Sequence, residues 1–295
     1  MSQKLLSFDI GGTQIKYGIV SDSGEVLLAH TVPTQAQDGA RALLDRLVEL
    51  ARPIIAQHAI CGIAISTLGL VEAGSGRIVG AAEAVPDYVG VSPKQALEEA
   101  FSLPVTIEND VNCVALAEGW QGSAKGAQHY IALAVGTGIG GGIVINGELY
   151  RGARSAAGEW GYMRIADRCW ENHASMRGLV TEAIRVSGRS DWDGRAVFAA
   201  SDAGDEQMRR VVDEWLDLLA TGIVNLIYVL NPQRVVIGGG ISGRGERFLA
   251  ELHSAISARI EPDFREMSEV VLASAGNNAG MIGAARNWFL SKRLF

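Results

Sequence analysis

Along residues 4–32 the apolar positions fall into three short runs, KLLSFDI, QIKYGIV and EVLLAH, separated by Gly11-Gly12-Thr13 and by Ser21-Asp22-Ser23-Gly24. Short apolar runs divided by turn residues predict a three-stranded meander. From about 38 to 57 the period becomes helical, with apolar positions Leu43, Leu44, Leu47, Val48, Leu50 and Ile54 and a weak point at Pro53. The run AICGIAIS then predicts a buried strand, Ser92-Pro93 opens a second helix, and PVTIE is a strand. That strand leads to Glu108-Asn109-Asp110, where the helix VNCVALAEGW begins.

From residue 128 the pattern restarts as HYIALAV, a glycine loop over 136–142, the strand IVI, a turn at Asn146-Gly147, and ELY. Laid beside residues 5–27, this is a weak internal repeat of strand, Gly/Thr loop, strand, turn and strand, the mark of a duplicated domain. Helical patterns dominate 171–229, followed by the strand RVVIGGG, the helix GERFLAELHSAIS, the strand EVVLAS and the helix AGMIGAARNWFL. Mixed elements with a meander at the start of each half predict two α/β lobes facing one another across a central cleft. The first lobe is expected over 1–112, with a C-terminal helix 279–295 packing back on it, and the second over 113–278.

Composition narrows the function. At 295 residues the chain exceeds the size of most single cores, and 48% hydrophobic with 20% charged residues is ordinary for a globular enzyme. The 36 glycines are about 12% of the chain against a usual ~7%, so backbone approaches backbone or ligand at many places. A net charge of −7 with no Lys/Arg cluster longer than a pair gives no footprint for nucleic acid or an anionic membrane. No apolar run reaches a membrane span and the N-terminus has no signal-peptide pattern, so a cytoplasmic protein with a small-molecule partner is expected. Cys61, Cys113 and Cys169 are far apart and odd in number, which predicts reduced thiols, and the five histidines have no metal-ligand spacing.

Three places carry chemistry. Asp9-Ile10-Gly11-Gly12-Thr13 sits where one strand turns into the next. It reads either as a nest of backbone N–H groups for phosphate, with Asp9 holding a hydrated Mg²⁺ or its waters, or as a tight hairpin with an Asx turn. The loop from Gly136 to Gly142 occupies the equivalent place in the second half, and its five glycines exceed what a hairpin needs. Gly136, Gly138 and Gly141 match a dinucleotide fingerprint, but a strand follows where a helix is required. Gly238, Gly240 and Gly243 match it too, yet EVVLAS ends without an acidic residue for a ribose. This turn packs against a flat adenosine or serves close packing alone. Glu108-Asn109-Asp110, at a strand end before a helix, is a helix cap or an active-site carboxylate. Phosphoryl transfer needs one carboxylate to accept the hydroxyl proton. Gly158-Glu159-Trp160-Gly161-Tyr162 and Glu171 add carboxylates suited to hydroxyl groups.

In this order the segments resemble the ROK family of repressors, open reading frames and sugar kinases: DIGGT at 9–13, ENDVNCVALAE at 108–118, GTGIGGGIV at 136–144, GEWGYM at 158–163, NPQRVVIGGG at 231–240 and NNAGMIGAA at 277–285. The resemblance implies an actin-like, ribonuclease-H-like fold, a homodimer, and transfer of the ATP γ-phosphoryl group to a sugar with Mg²⁺. It places Asp9, Gly11, Gly12, Thr13, Thr137 and Gly138 in phosphate loops and Gly239 and Gly240 near adenosine. It makes Asp110 the base, gives Asn109, Glu159 and Glu171 to sugar hydroxyls, and lines the pocket with Ser66-Thr67-Leu68-Gly69.

Two departures from the family pattern bear on the substrate. Leu68 stands where relatives commonly have a proline, which changes the loop before Gly69. Kinases of the family usually follow Gly-Glu-x-Gly with a histidine and then a Cys-x-Cys-Gly-x-x-Gly-Cys-x-Glu zinc loop, whereas this chain has Tyr162 and only Cys169-Trp170-Glu171. One cysteine cannot make a four-ligand site, so no zinc is expected. Losing that loop opens the anomeric end of the sugar pocket, and the pattern looks most like the β-glucoside kinase branch, with 6-phosphorylation of a β-glucoside such as cellobiose. The alternatives are a glucokinase or N-acetylmannosamine kinase, with Tyr162 filling the vacated space, and a non-catalytic sugar-sensing regulator. Against the last, only eight residues precede Asp9, too few for a helix-turn-helix, and the loops and base are all present.

Overall fold

Phe8 and Ile10 alternate with Ser7 and Asp9 along the first strand, and this period of two decides how the first sheet is covered. The computed structural model describes residues 2–165 and 167–292. It divides into a unit of Met1–Gly126, Leu149–Ala157 and Ser274–Phe295 and a unit of Ala127–Glu148 and Gly158–Ala273.

In the first unit, β1 (Lys4–Ile10), β2 (Gln14–Ser21) and β3 (Val26–Pro33) form the expected meander, followed by α1 (Gly39–Gln57), which runs unbroken through Pro53. Next come β4 (Gly62–Thr67), the short hairpin β5 (Leu70–Glu72) and β6 (Arg77–Gly80), α2 (Pro93–Phe101), β7 (Val105–Asn109) and α3 (Asp110–Gln121). The sheet order is β3-β2-β1-β4-β7, with β1, β4 and β7 parallel. Leu6, Phe8 and Ile10 face one side of it and pack with Leu43 and Leu47 of α1. Leu5 and Ala64 face the other, against Cys113 of α3 and Met281, Ala285 and Trp288 of the C-terminal helix. Each such large apolar side chain contributes about 1.5–3 kcal/mol when buried.

The second unit begins with β8 (Tyr130–Val135), β9 (Ile139–Ile145) and β10 (Glu148–Leu149), then the two-residue strands β11 (Arg164–Ile165) and β12 (Arg168–Cys169). Helices α4 (Glu171–Ala174), α5 (Met176–Ser187), α6 (Gly194–Asp202) and α7 (Glu206–Leu230) follow, then β13 (Arg234–Gly238), α8 (Glu246–Ser257) and β14 (Glu269–Leu272). The order β10-β9-β8-β13-β14 repeats the first sheet strand for strand, two antiparallel pairings followed by two parallel ones. Along α7, Met208, Val212, Trp215, Leu219, Ile223 and Ile227 recur at helical spacing and are buried, packed with α5, α6 and α8. Asp205 caps its start by accepting from the Gln207 and Met208 amides.

The C-terminal helix, α9, spans Ala279–Ser291; the end of the expected 279–295 helix, residues 293–295, lies outside the described residues. It packs along α3, with a Cβ at Gly283 falling 1.7 Å from the Cys113 carbonyl oxygen, so only glycine permits the approach. The division between units follows Gly126, and α3 shares its core with α9 and the first sheet. The buried carboxylate of Glu118 fixes both chain segments beside that division, accepting from the amides of Ser123 (2.8 Å), Ser274 (3.0 Å) and Ala275 (2.8 Å).

Candidate active site

Parallel register brings the first group of residues to one end of a sheet. Asp9, Ser66 and Glu108 lie side by side on β1, β4 and β7, and the next positions, Ile10, Thr67 and Asn109, do the same. The Ser66 hydroxyl donates to Asp9 Oδ1 at 2.8 Å. Burial pushes the Asp9 carboxyl above the usual range, opposed by the Ser66 bond and by the Lys16 ammonium. In the turn that follows, the Gly11 amide donates to the Gln14 carbonyl at 3.0 Å, and the Thr34 hydroxyl donates to the Gly11 carbonyl at 2.6 Å. The Gly11 amide thus closes the turn instead of pointing into a nest, while Gly12 and Thr13 are exposed.

Asn109 is both the helix cap and a tie to the neighbouring loop. Its Oδ1 accepts from the amides of Val111 (2.9 Å) and Asn112 (3.1 Å), and its Nδ2 donates to the Gly69 carbonyl at 3.0 Å. Gly69 has φ +91°, a conformation that suits glycine. Asp110, first residue of α3, is half-buried, with Oδ1 accepting from the Val111 amide at 2.9 Å.

Beneath this pair runs a polar network that the sequence did not reveal. Glu108 is 1% exposed, and a buried carboxylate must be paired. Arg151 Nε donates to Glu108 Oε2 at 2.6 Å and Asn112 Nδ2 to Oε1 at 2.9 Å. The same Oε1 accepts the Asn109 amide at 3.0 Å, and Arg151 Nη2 donates to Asn287 Oδ1 at 2.9 Å. The one legible signal was Glu108 itself, an acid ending an apolar strand and so in need of a cation.

The second unit holds the other group. Strand β9 starts at Ile139, so the loop is only Gly136-Thr137-Gly138, and Gly140–Gly142 lie in the strand. This corrects the seven-residue loop read from the sequence. Those glycines make room: a Cβ at Gly141 would lie 1.9 Å from the Trp160 indole. The loop is closed by the Gly136 amide on the Gly138 carbonyl (3.0 Å) and held by the Met176 amide on the Gly136 carbonyl (2.8 Å). Glu171 Oε2 accepts from the Ile139 amide at 3.2 Å, and Oε1 pairs with Arg177 at 3.3 Å. Burial first, and the negative Glu171 second, push the Glu159 carboxyl upward. Tyr162 ends a 3₁₀ turn after Glu159, with its side chain 59% exposed.

At the end of β13, Gly239 has φ +88° and lies so close to Val135 that a Cβ would come within 2.4 Å of its carbonyl oxygen. Gly240 opens a pocket of about 390 Å³ walled by Met176, Phe198 and Ile241 and edged by Arg244. Arg244 is ion-paired to Asp202 and Glu251 and stacks over Phe198, while its buried Nε has no partner among the described residues. Apolar walls beside a glycine turn suit a flat base. Among the described residues, no group of three or more His, Cys, Asp or Glu could hold a metal ion.

Asp9, Gly11–Thr13, Gly69, Asn109 and Asp110 thus share one sheet end, while Thr137, Gly138, Glu159, Tyr162, Glu171, Gly239 and Gly240 belong to the second unit. A family model described as the ROK family matches residues 5–290. The chain belongs to the ROK family. The beta-glucoside kinase of Listeria monocytogenes is 36% identical over 292 residues, covering 95% of this chain and 96% of the relative. Among solved structures, a ROK hexokinase from Thermus thermophilus superposes with TM-score 0.88 at 30% identity, covering 99% of this chain and 100% of that one. A ROK family glucokinase from Streptomyces griseus, solved with glucose and AMPPNP, has TM-score 0.81 at 27% identity, covering 97% and 98%. The two repeated sheets are therefore those of the ROK sugar kinases, an actin-like ATPase fold.

Proposed function

We propose that this ATP-dependent carbohydrate kinase of the ROK family is a β-glucoside kinase, transferring the γ-phosphoryl group of ATP to the 6-hydroxyl of a β-linked glucoside. The observation that carries the choice of substrate is Tyr162. It stands where zinc-bearing relatives have histidine, and its 59% exposure supports a reading in which the ring does not fill the space of the lost loop. A substituent on the anomeric oxygen then has somewhere to go. The similarity to a beta-glucoside kinase at 36% identity supports the same substrate class.

In this reading Asp110 accepts the proton of the 6-hydroxyl as the oxygen attacks the γ-phosphorus, and Asn109, Glu159 and Glu171 orient the sugar through its other hydroxyls. The turn Asp9–Thr13 and the loop Thr137-Gly138 hold the phosphates, with adenosine at Gly239 and Gly240. Mg²⁺ bound to ATP supplies neutralisation of the phosphate charge, and Asp9 is the carboxylate to reach it through water. A second reading, a glucokinase acting on the free sugar, is supported by the glucokinase solved with glucose. The test is product identification: incubated with ATP, Mg²⁺ and cellobiose, the protein is expected to give a phosphomonoester that couples by ³¹P–¹H NMR to the 6-methylene protons of one glucose ring. Phosphate on another hydroxyl, or no product from cellobiose while glucose is phosphorylated, overturns the proposal.

A further inference from the structure

Residues that would fasten the segment after Gly-Glu-x-Gly through zinc are not present. Tyr162 stands in place of the histidine, Cys169 is the one cysteine of the segment, and no metal-binding group exists among the described residues. The segment still ends in Glu171, whose carboxylate reaches the Ile139 amide at the loop after β8. A carboxylate that must meet sugar hydroxyls needs a fixed backbone beneath it.

Two tryptophans, each adjacent in sequence to one of the glutamates, are docked on glycines. Trp160, next to Glu159, lies on Gly141 of β9 and its Nε1 donates to the Gly140 carbonyl at 3.3 Å. Trp170, next to Glu171, is 1% exposed and lies on Gly222 of α7, where a Cβ would fall 2.1 Å from its ring. Its Nε1 donates to the Leu218 carbonyl at 2.9 Å. The main chain of Trp170 is held as well: its amide donates to the Met163 carbonyl at 2.8 Å, and its carbonyl accepts from the amides of His173 (3.1 Å) and Ala174 (2.9 Å). A tryptophan buries roughly 150–250 Å².

We propose that Trp170, seated on Gly222, is the positioning residue that holds Glu171 for sugar binding, an apolar anchor in the place where zinc-bearing relatives use a metal. Trp160 on Gly141 serves Glu159 in the same way. The proposal rests on the reading that Glu171 binds sugar hydroxyls. Tryptophan and glycine act here as one unit: the ring fills the notch that the missing Cβ leaves, and α7 supplies the rigid wall.

The experiment is steady-state kinetics on Glu171→Ala, Gly222→Ala, Trp170→Phe and the double variant Gly222→Ala/Trp170→Leu, using whichever of cellobiose and glucose the wild type turns over. Alanine favours the helix, so Gly222→Ala leaves α7 intact while displacing the indole; thermal melting confirms a cooperative fold. Glu171→Ala and Gly222→Ala are expected to raise KM for the sugar about tenfold or more while KM for ATP stays within about twofold. Trp170→Phe should give a rise of roughly threefold, and the double variant should recover at least about threefold over Gly222→Ala, since leucine vacates the space that the new methyl takes. If Glu171→Ala raises the sugar KM and neither Gly222→Ala nor Trp170→Phe does, the anchor is refuted while the glutamate keeps its role. An unchanged sugar KM in Glu171→Ala refutes the role of Glu171 and the proposal with it. A parallel rise in both KM values, or no recovery in the double variant, refutes the anchor too.

Discussion

Asp110 lies one residue past the C-terminal end of β7, with one carboxylate oxygen taking the Val111 amide. Replacing it by Asn keeps the volume and that bond but removes the proton acceptor, so kcat is expected to fall at least about 10²-fold with an unchanged melting temperature. Retention of more than about a tenth of wild-type turnover contradicts the assignment. Glu159 gives a pH prediction. Its carboxyl is raised, so it stays protonated to higher pH than an ordinary glutamate at ~4.3, and protonation removes its charge and turns one accepting oxygen into a donor. The acid limb of kcat/KM for the sugar should therefore lie above that value, and Glu171→Gln should move it down by removing the second of the two causes. A limb unmoved in that variant contradicts the coupling. The sign for stability is opposite to that of a salt-bridged acid: the native state binds the proton more tightly, so this group's contribution is full below ~4.3 and is lost as pH rises through the folded-state value. The cap role of Asn109 was legible because a helix cap favours a strand end before a helix. Trp170 was not, because its glycine seat lies on a helix that sequence spacing does not connect to it.

At the scale of elements, the Glu108–Arg151 pair ties β7 to the segment Leu149–Ala157, and Arg151 carries the tie on to Asn287 of α9. Removing one partner of a buried pair leaves a charge without compensation. Because Arg151 is 33% exposed and water reaches it, Arg151→Met is expected to cost about 2–3 kcal/mol in urea unfolding. Stability within about 0.5 kcal/mol of wild type would mean that the network is not what holds Glu108. The long apolar periods of α1, α7 and the core strands were readable from residue types alone. The hairpins β5–β6 and β11–β12 were not, since strands of two to four residues carry too little pattern to declare a period. The glycine-rich stretch 136–142 misled for a physical reason: glycines in a strand that receives a tryptophan look the same in sequence as glycines in a ligand loop.

Across the whole molecule, the weak repeat in the sequence corresponds to two sheets of matching strand order, each with a glycine turn between its first two antiparallel strands. The helix α3, which runs on past the expected first lobe of 1–112, packs its buried face on the first sheet and on α9. Metal requirement is a property at this scale. After treatment with EDTA, Mg²⁺ alone is expected to restore full activity, and stoichiometric zinc in the purified protein by elemental analysis contradicts the account. The most direct measurement of the central claim is kcat/KM for cellobiose and simple β-glucosides against free glucose and N-acetylmannosamine, by coupled ADP release. The proposed open anomeric end predicts that a β-glucoside is the best substrate. A free monosaccharide preferred over every β-glucoside by a factor of about ten, roughly 1.4 kcal/mol of transition-state binding, would contradict it.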